Sequence, residues 1–297
     1  MAGCAAQEGD NCPICGGEGV VTRAGRELAE AALCSHIAAC GTCGGSGFAK
    51  GRDEGGYEVV RPCAAEGLRR RVGLFNGAGV PAAYHGSKLD TYQARGGNQS
   101  EIVFQFLHLY ERLQVSVLPG GKLAPRTRGI GLSGPPGVGK THLLTAMARD
   151  LVVNLGVAVK FSDFSSLLWN LKAGFDAGRG TGELLQPLID AEVLFIDEMG
   201  KGRATEWELT VVDSLVSERY NRSLTTFFAT NYPFRAGDAA SFNAAGGRGR
   251  AEPRLEALAD RVGDRVYSRL QEMCQLLVLT GPDSRAVAPV PVAPGPR

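Results

Sequence analysis

The stretch Gly131-Leu132-Ser133-Gly134-Pro135-Pro136-Gly137-Val138-Gly139-Lys140-Thr141-His142-Leu143-Leu144-Thr145-Ala146-Met147 decides how this chain is read. Gly134, Gly139, Lys140 and Thr141 stand in the spacing G-x-x-x-x-G-K-[ST]. Glycines let the backbone bend until successive N–H groups face anionic oxygens. Lys140 can reach the outer phosphates of a nucleotide, and the Thr141 hydroxyl can ligate Mg²⁺. The helix that follows adds its positive end. The run from Gly134 through Pro135, Pro136, Gly137, Val138, Gly139, Lys140, Thr141 and His142 is therefore the expected cradle for ATP. A glycine-rich turn is the alternative, and the flanks argue against it. Ile130 to Ser133 read as a short apolar strand, and His142 to Leu155 carry helical apolar spacing up to Gly156.

A second motif lies downstream. Val193-Leu194-Phe195-Ile196 is a continuous apolar run, as expected of a strand buried on both faces. It ends in Asp197-Glu198. Two carboxylates at the end of a buried strand are costly unless a cation or a reaction uses them. Asp197 is placed to hold Mg²⁺, directly or through water. Glu198 is placed to orient and activate an attacking water. Thr225 to Thr230 form another β-rich run ending at Asn231, which can contact a γ-phosphate or that water. A plain turn before Pro233 is its other reading.

Between these motifs, helical and strand patterns alternate. Asn98 should cap a helix over Gln99 to Gln114. Val157 to Phe161 read as a strand, and Ser162 or Asp163 should cap a helix over Phe164 to Phe175. Glu183 to Ile189 and Thr205 to Arg222 read as further helices. A long helix, Arg254 to Met273, carries Arg261, Arg265 and Arg269 along one face. That face is either a solvated basic stripe or a reach toward a neighbouring subunit's γ-phosphate. Gln275 to Thr280 look like a last strand. Ala236 to Pro253 read as a mobile loop and the tail from Ala286 as disordered. Alternating strands and helices predict an α/β fold around a central parallel sheet.

The first seventy or so residues differ. Seven of the eight cysteines lie between Cys4 and Cys63. Cys12-Pro-Ile-Cys15-Gly-Gly-Glu-Gly and Cys40-Gly-Thr-Cys43-Gly-Gly-Ser-Gly repeat one C-x-x-C-G-G-x-G pattern. Two such turns can set four thiolates around a tetrahedral Zn²⁺, and a small segment short of core needs that stability. Cys12, Cys15, Cys40 and Cys43 are the favoured ligands; Cys34, His36 or Cys63 can replace one of them. A plausible helix, Arg26 to Ala39, lies between the two turns. Gly67 to Gly86, with Arg69, Arg70 and Arg71, read as a basic, solvated linker. The chain thus divides into a cysteine-rich zinc-binding domain (1–75), a nucleotide-binding domain (76–285) and a tail (286–297). Of its 297 residues, 44% are apolar and 21% charged, with a net charge of +1. Such a balance announces no nucleic-acid partner by itself. No apolar run reaches the length of a membrane span and no signal-peptide core is visible, so a reducing cytoplasm is the default and its cysteines point to metal before disulfides.

The knuckles are similar to the paired C-x-x-C-x-G-x-G turns of DnaJ-type zinc modules. About two thirds of the chain resembles the DnaC/DnaI-type replicative helicase loaders and the related IstB transposition ATPases of the AAA+ class. The matching blocks are Gly97-Asn98-Gln99, GPPGVGKTHL at 134–143, VLFIDEMG at 193–200, ATEWELTVVDSLVSERYNRSLTTFFATNYP at 204–233 and DRVGDRVYSRLQEMC at 260–274. The resemblance implies a three-layer AAA+ domain that binds and hydrolyses ATP. Asp197 and Glu198 become its Walker B pair and Asn231 its first sensor. Arg265, with Arg269 second, becomes the arginine acting in trans, which requires self-association into an oligomer. Arg285 could be a second sensor. The resemblance also implies that Phe161 to Ile189 engage single-stranded DNA, and that the partner is a replicative helicase. A transposition ATPase and a zinc-dependent interaction adaptor with an ATP switch are the competing functions.

Overall fold

The computed structural model describes residues 12–38, 42–43, 46–238 and 256–284. The first described elements are a hairpin, β1 (Val20–Ala24) and β2 (Ala29–Leu33), then a short helix α1 (Ser35–Ala38) and a second hairpin, β3 (Phe48–Arg52) and β4 (Glu58–Pro62). Helix α2 (Ala64–Asn76) leads through a 3₁₀ turn to α3 (Gln99–Ser116), and β5 (Val117–Leu118) and β6 (Lys122–Leu123) form a short ladder. Next come β7 (Gly129–Ser133), α4 (Lys140–Val153), β8 (Val159–Asp163), α5 (Phe164–Asp176), α6 (Thr181–Ile189) and β9 (Val193–Asp197). The last elements are α7 (Glu206–Asn221), β10 (Thr225–Thr230), α8 (Leu258–Val262), α9 (Asp264–Met273) and β11 (Cys274–Val278).

Five strands form one parallel sheet in the order β11-β7-β10-β9-β8. The period of two along each strand sorts side chains into two cores. Val193 and Phe195 of β9 join the core packed against α3 and α4, while Leu194 and Ile196 join the core beneath α5, α6, α7 and α9. Phe161, Phe195 and Phe227 stack in register across three strands, with centroids 6.3 and 4.6 Å apart. Each such ring stabilises the fold by about 1.5–3 kcal/mol through burial alone. The result is three layers, with helices on both faces of a parallel sheet.

One buried cation ties the second layer together. Arg219 of α7 is 1% exposed. It donates to Thr226 Oγ1 and to the carbonyls of Leu188, Ile189, Ala191 and Thr225. Burial lowers its pKa to about 10, so it stays charged, and its donors satisfy the carbonyls that end α6.

Several sequence expectations are corrected. The segment expected as a helix over Arg26 to Ala39 forms β2 and the short α1 instead. Its alanines alternate, with Ala29 and Ala31 buried, and Ala31 N–H donates to Asn76 Oδ1 across 2.6 Å. Pairing with β1 overrides the helical composition. The expected linker at Gly67 to Gly86 contains most of α2. There Arg70 donates to the Gly156 and Gly120 carbonyls and Arg71 to the Val153 carbonyl, so this basic run caps the carbonyl end of α4. Asn98 stands at the start of α3 without making a side-chain cap; its amide instead clasps Val278 O and Thr280 N at the exit of β11. The single helix expected over Arg254 to Met273 is two, because Gly263 sits at φ 85° between α8 and α9. The capping expected of Asp163 is present, its carboxylate accepting from Ser166 N–H at 2.8 Å. Most of the expected mobile loop and the whole expected tail lie outside the described residues, as does Arg285.

Val20, Ala29 and Ala31 of the first hairpin share one apolar cluster with Phe75 and with Leu143 and Met147 of α4. The hairpin therefore shares a core with the nucleotide-binding layer. No described helix is long and apolar enough to cross a membrane.

Candidate nucleotide-binding site

The loop after β7 rises between β10 and β11, and close packing there demands glycine. A Cβ on Gly134 would lie 2.3 Å from the Leu279 carbonyl oxygen. Gly139 ends the loop at φ 101° with the Tyr92 hydroxyl pressed against it, and α4 starts at the next residue. Lys140, 7% exposed, folds back so that its Nζ donates to the Gly134 and Pro135 carbonyls at 2.7 and 2.8 Å. Thr141 Oγ1 donates to Asp197 Oδ2 at 2.7 Å. The phosphate loop and the tip of β9 therefore meet.

A cleft of about 350 Å³ opens over this junction. Pro136, Gly137, Gly139, Lys140, Thr141 and His142 form one wall, and Asp197, Glu198 and Asn231 form another. Gly134, Pro135 and Val138 belong to the loop without lining the cleft: Val138 is 1% exposed, and its carbonyl accepts from Tyr92 and Gln99. Asn231 sits there because it follows β10, whose Thr230 hydroxyl donates to the Met199 carbonyl just beyond β9. Burial raises the Asp197 carboxyl pKa above its ordinary value, against the lowering effect of the Thr141 hydrogen bond. A buried carboxylate and a hydroxyl converging beside a phosphate loop suit the hard, oxygen-ligated Mg²⁺ ion. Glu198 has φ 53°, a left-handed conformation unusual for a side-chain-bearing residue and characteristic of functional sites. Its carboxylate pairs with Lys201 Nζ.

The sequence did not single out Tyr84, Thr91, Tyr92, Gln93, Arg95 and Ser284, which line the same cleft. Tyr92 meets the His142 ring edge-on at 5.4 Å. Burial lowers the His142 pKa, and its Nε2 is buried without a hydrogen-bond partner. The Asp283 carboxylate lies against Gly137, and Ser284 N–H donates to the Gly137 carbonyl at 2.9 Å. Two tyrosines and an acid contributed from distant segments carry no local pattern, so only the fold reveals them.

Neither Arg265 nor Arg269 lines this cleft. Arg265 is solvent-exposed at 72%, with Asp213 3.7 Å away. Arg269 donates to Asp213 at 3.0 Å and to Ser217, and lies over the Tyr220 ring. Arg261 is bonded to the Gly200 and Gly202 carbonyls. The break at Gly263 separates Arg261 from the other two, so the expected continuous face does not form.

The cysteine-rich segment gathers Cys12, Cys15, Cys34 and His36, whose ligand atoms all lie within 4.8 Å of one another. Cys12 Sγ is 3.7 Å from Cys34 Sγ, and Cys15 Sγ is 3.9 Å from His36 Nδ1. His36 Nε2 is buried without a partner. Backbone N–H groups of Cys15 and Ile14 hold the Cys12 thiol down at about 6, and Gly19 N–H donates to Cys15 Sγ. Three thiols and an imidazole suit a four-coordinate Zn²⁺. Of the ligands favoured from sequence, Cys12 and Cys15 are here. Cys43 lies instead beside Cys63, and Cys40 lies outside the described residues. Cys34 and His36 complete the group because β2 and α1 carry them back over the first knuckle. Cys274 is fully buried in β11, its thiol pushed up to about 12.

Residues 94–244 match the family model described as IstB-like ATP binding protein. The phage-like element PBSX protein XkdC of Bacillus subtilis (strain 168) is 29% identical over 186 residues, 57% of this chain and 65% of that protein. The replicative helicase loader DnaC of Buchnera aphidicola subsp. Baizongia pistaciae (strain Bp) is 30% identical over 182 residues, 60% of this chain and 67% of that protein. A crystal structure of the DnaC helicase loader aligns at a TM-score of 0.52 and 28% identity, covering 67% of this chain and 99% of that one. The chain thus spans a little under two thirds of XkdC.

Proposed function

This chain belongs to the IstB-like ATP-binding proteins and has their AAA+ P-loop fold, and from that premise we propose that it hydrolyses ATP to load a replicative helicase onto single-stranded DNA. One observation carries the reading: Lys140, Thr141, Asp197, Glu198 and Asn231, drawn from three separate strand ends, converge on one cleft. A triphosphate entering it draws Lys140 Nζ from two neutral carbonyls to anionic oxygens, a stronger, charge-assisted bond. Thr141 and Asp197 would hold Mg²⁺, which neutralises charge on the transferred phosphoryl group. Glu198 orients the attacking water and accepts its proton, and Asn231 holds that water or the γ-phosphate. The proton leaves the water as its oxygen bonds phosphorus, and ADP departs with the cleaved bond's electrons. Arg265 acts from a neighbouring copy, and Arg269 is the second candidate for that role.

The DNA is assigned to the segment from β8 to α6. Trp169 and Phe175 of α5 are 73% and 55% exposed and share a groove with Lys172, Lys201 and Arg203. Exposed aromatic faces beside cations are the chemistry of sequence-tolerant single-strand binding. The cysteine cluster, holding Zn²⁺ through Cys12, Cys15, Cys34 and His36, stabilises the amino-terminal segment and presents a surface for the helicase.

The test is Glu198→Gln. The variant should bind ATP as the wild type does and hydrolyse it slower by a factor on the order of a thousand. Normal turnover removes Glu198 as the activating residue. Co-purification with a hexameric helicase supports the loader reading; capture of a transposase instead favours the transposition branch, which the matched family's name keeps open. A zinc-dependent adaptor with a mere ATP switch predicts no turnover at all.

A further inference from the structure

Val138 and Gly139 share one peptide group, and its two ends face different surroundings. Gly139 lines the nucleotide cleft, whereas Val138 does not and is 1% exposed. Two side chains hold the Val138 carbonyl: Tyr92 Oη donates to it at 3.1 Å and Gln99 Nε2 at 3.1 Å. A carbonyl oxygen has two lone pairs, and both are then used. In a planar trans peptide the C=O and N–H bonds point in opposite directions. No peptide bond among the described residues is cis, so fixing the Val138 oxygen also fixes the Gly139 N–H.

Glycine at this position makes such a hold necessary. The Tyr92 hydroxyl crowds Gly139, which sits at φ 101° and leaves no room for a Cβ. Glycine, however, takes positive and negative φ about equally well. Left to itself, the peptide between Val138 and Gly139 can turn over and set its oxygen against a nucleotide's anionic oxygens. Gln99 is built to prevent that. It is 0% exposed at the start of α3, and its Oε1 accepts from Arg95 N–H at 2.6 Å. A backbone N–H only donates, so the amide oxygen must face Arg95 and the amide nitrogen must face Val138. Gly281 packs on the same amide so closely that a Cβ there would lie 2.6 Å from Nε2.

We infer that Gln99 and Tyr92 are positioning residues that set the direction of one amide of the phosphate loop, holding the Gly139 N–H toward the phosphates. This role rests on the ATP-binding reading and deepens it. Backbone N–H groups are what any such loop offers an anion; here the groups that keep one of them turned the right way come from a segment well upstream. The contact is to phosphate, so ATP and ADP should feel its loss alike.

The experiment compares the full wild-type chain with Gln99→Glu, Tyr92→Phe and the double variant. It uses isothermal titration with ATP and ADP, steady-state hydrolysis, and amide NMR on protein carrying isotope-labelled glycine. Gln99→Glu keeps the oxygen that Arg95 N–H needs but sets a second oxygen, not a donor, against the Val138 carbonyl. It should bind both nucleotides on the order of tenfold or more weakly, the worth of a hydrogen bond to a charged group. Its KM for ATP should rise while kcat stays within about twofold, because the lost contact serves ground and transition states alike. Tyr92→Phe keeps the ring against Gly139 and His142, is the variant least able to disturb folding, and should lose about threefold in affinity. The double variant should bind no more weakly than Gln99→Glu, since a peptide already turned over leaves the second donor nothing to hold. The Gly139 amide proton should move downfield on ADP addition in the wild type and stay in place in Gln99→Glu. Unchanged affinity in Gln99→Glu and Tyr92→Phe, fully additive losses in the double variant, or a Gly139 shift retained in Gln99→Glu each overturn the assignment and leave the ATPase standing. A wild type that binds ATP, shows these variant losses and never turns ATP over supports the assignment and overturns the function proposed above.

Discussion

Thr141 Oγ1 lies 2.7 Å from Asp197 Oδ2, so one hydrogen bond joins the phosphate loop to the tip of β9. That contact fixes two of the oxygens Mg²⁺ would need. Their removal should show in the metal dependence of binding before it shows anywhere else. In the wild type, ATP affinity by isothermal titration should fall on the order of tenfold or more when Mg²⁺ is replaced by a chelator, one bridged charge's worth. In Asp197→Ala the two conditions should give nearly the same weak affinity, and Thr141→Val should lie between. A full Mg²⁺ effect in Asp197→Ala would remove that carboxylate from the metal.

Arg265 and Arg269 are one turn apart on α9, yet their surroundings differ. Arg269 is bonded within its own chain, whereas Arg265 is exposed and near one acid. Arg269→Ala should therefore lower stability by about 1–2 kcal/mol in a denaturant melt. Arg265→Ala should change stability by less than about 0.5 kcal/mol but hydrolyse ATP poorly. If Arg265 reaches a neighbour, mixing Arg265→Ala with Glu198→Gln should recover activity absent from either alone, since one subunit keeps the base and the other the arginine. Equal rates in the mixture and in its parts would exclude action in trans.

Four ligand atoms within 4.8 Å make a sharp claim about which cysteines matter. Metal analysis of freshly purified protein should find zinc. Cys34→Ser should lose this metal as fully as Cys12→Ser, and His36→Ala should bind it more weakly. Cys43→Ser should retain it, because Cys43 packs beside Cys63. Retention by Cys34→Ser with loss by Cys43→Ser would restore the ligand pairing read from the two knuckles.

The contrast between Cys34 and Cys43 shows where sequence reading stops. The repeated knuckle is a local pattern, but ligand choice depends on where β2 carries the chain, and the alanine-rich run from Arg26 to Ala39 reads as helix until β1 is beside it. The central sheet was legible for the opposite reason: buried parallel strands are continuous apolar runs, and Val193 to Ile196 need no partner to be seen. Lys140, Thr141, Asp197, Glu198 and Asn231 could be named from sequence because phosphate and metal chemistry would impose residue type at such positions, and the fold brings all five to one cleft. Tyr92, Arg95 and Ser284 reach that cleft from segments with no such constraint. Arg70 and Arg71 looked like a linker because the carbonyls they cap are about eighty residues away in sequence. Gly263 was visible as a letter, but only its φ of 85° shows that it divides a helix.

Asp150 offers a pH-dependent test of how the amino-terminal segment is seated. It is 7% exposed on α4, accepts from Arg149 at 3.1 Å and lies beside Leu89 N–H. Arg149 in turn binds Glu18 of the first knuckle, which also pairs with Lys88. Burial raises the Asp150 carboxyl pKa from 3.8 to about 6. The folded state thus holds this proton more tightly than the unfolded chain does. Its contribution to stability is greatest below about pH 4 and is lost as pH rises to about 6, remaining flat above. Two units correspond to about 3 kcal/mol. Asp150→Asn cannot titrate, so its stability relative to wild type should improve by about 2–3 kcal/mol between pH 4 and pH 7 in paired denaturant melts. The lost hydrogen bonds add a constant offset that does not depend on pH. A difference that stays constant, or moves toward the wild type as pH rises, would mean that the Arg149 guanidinium outweighs burial and that Asp150 is ionised throughout.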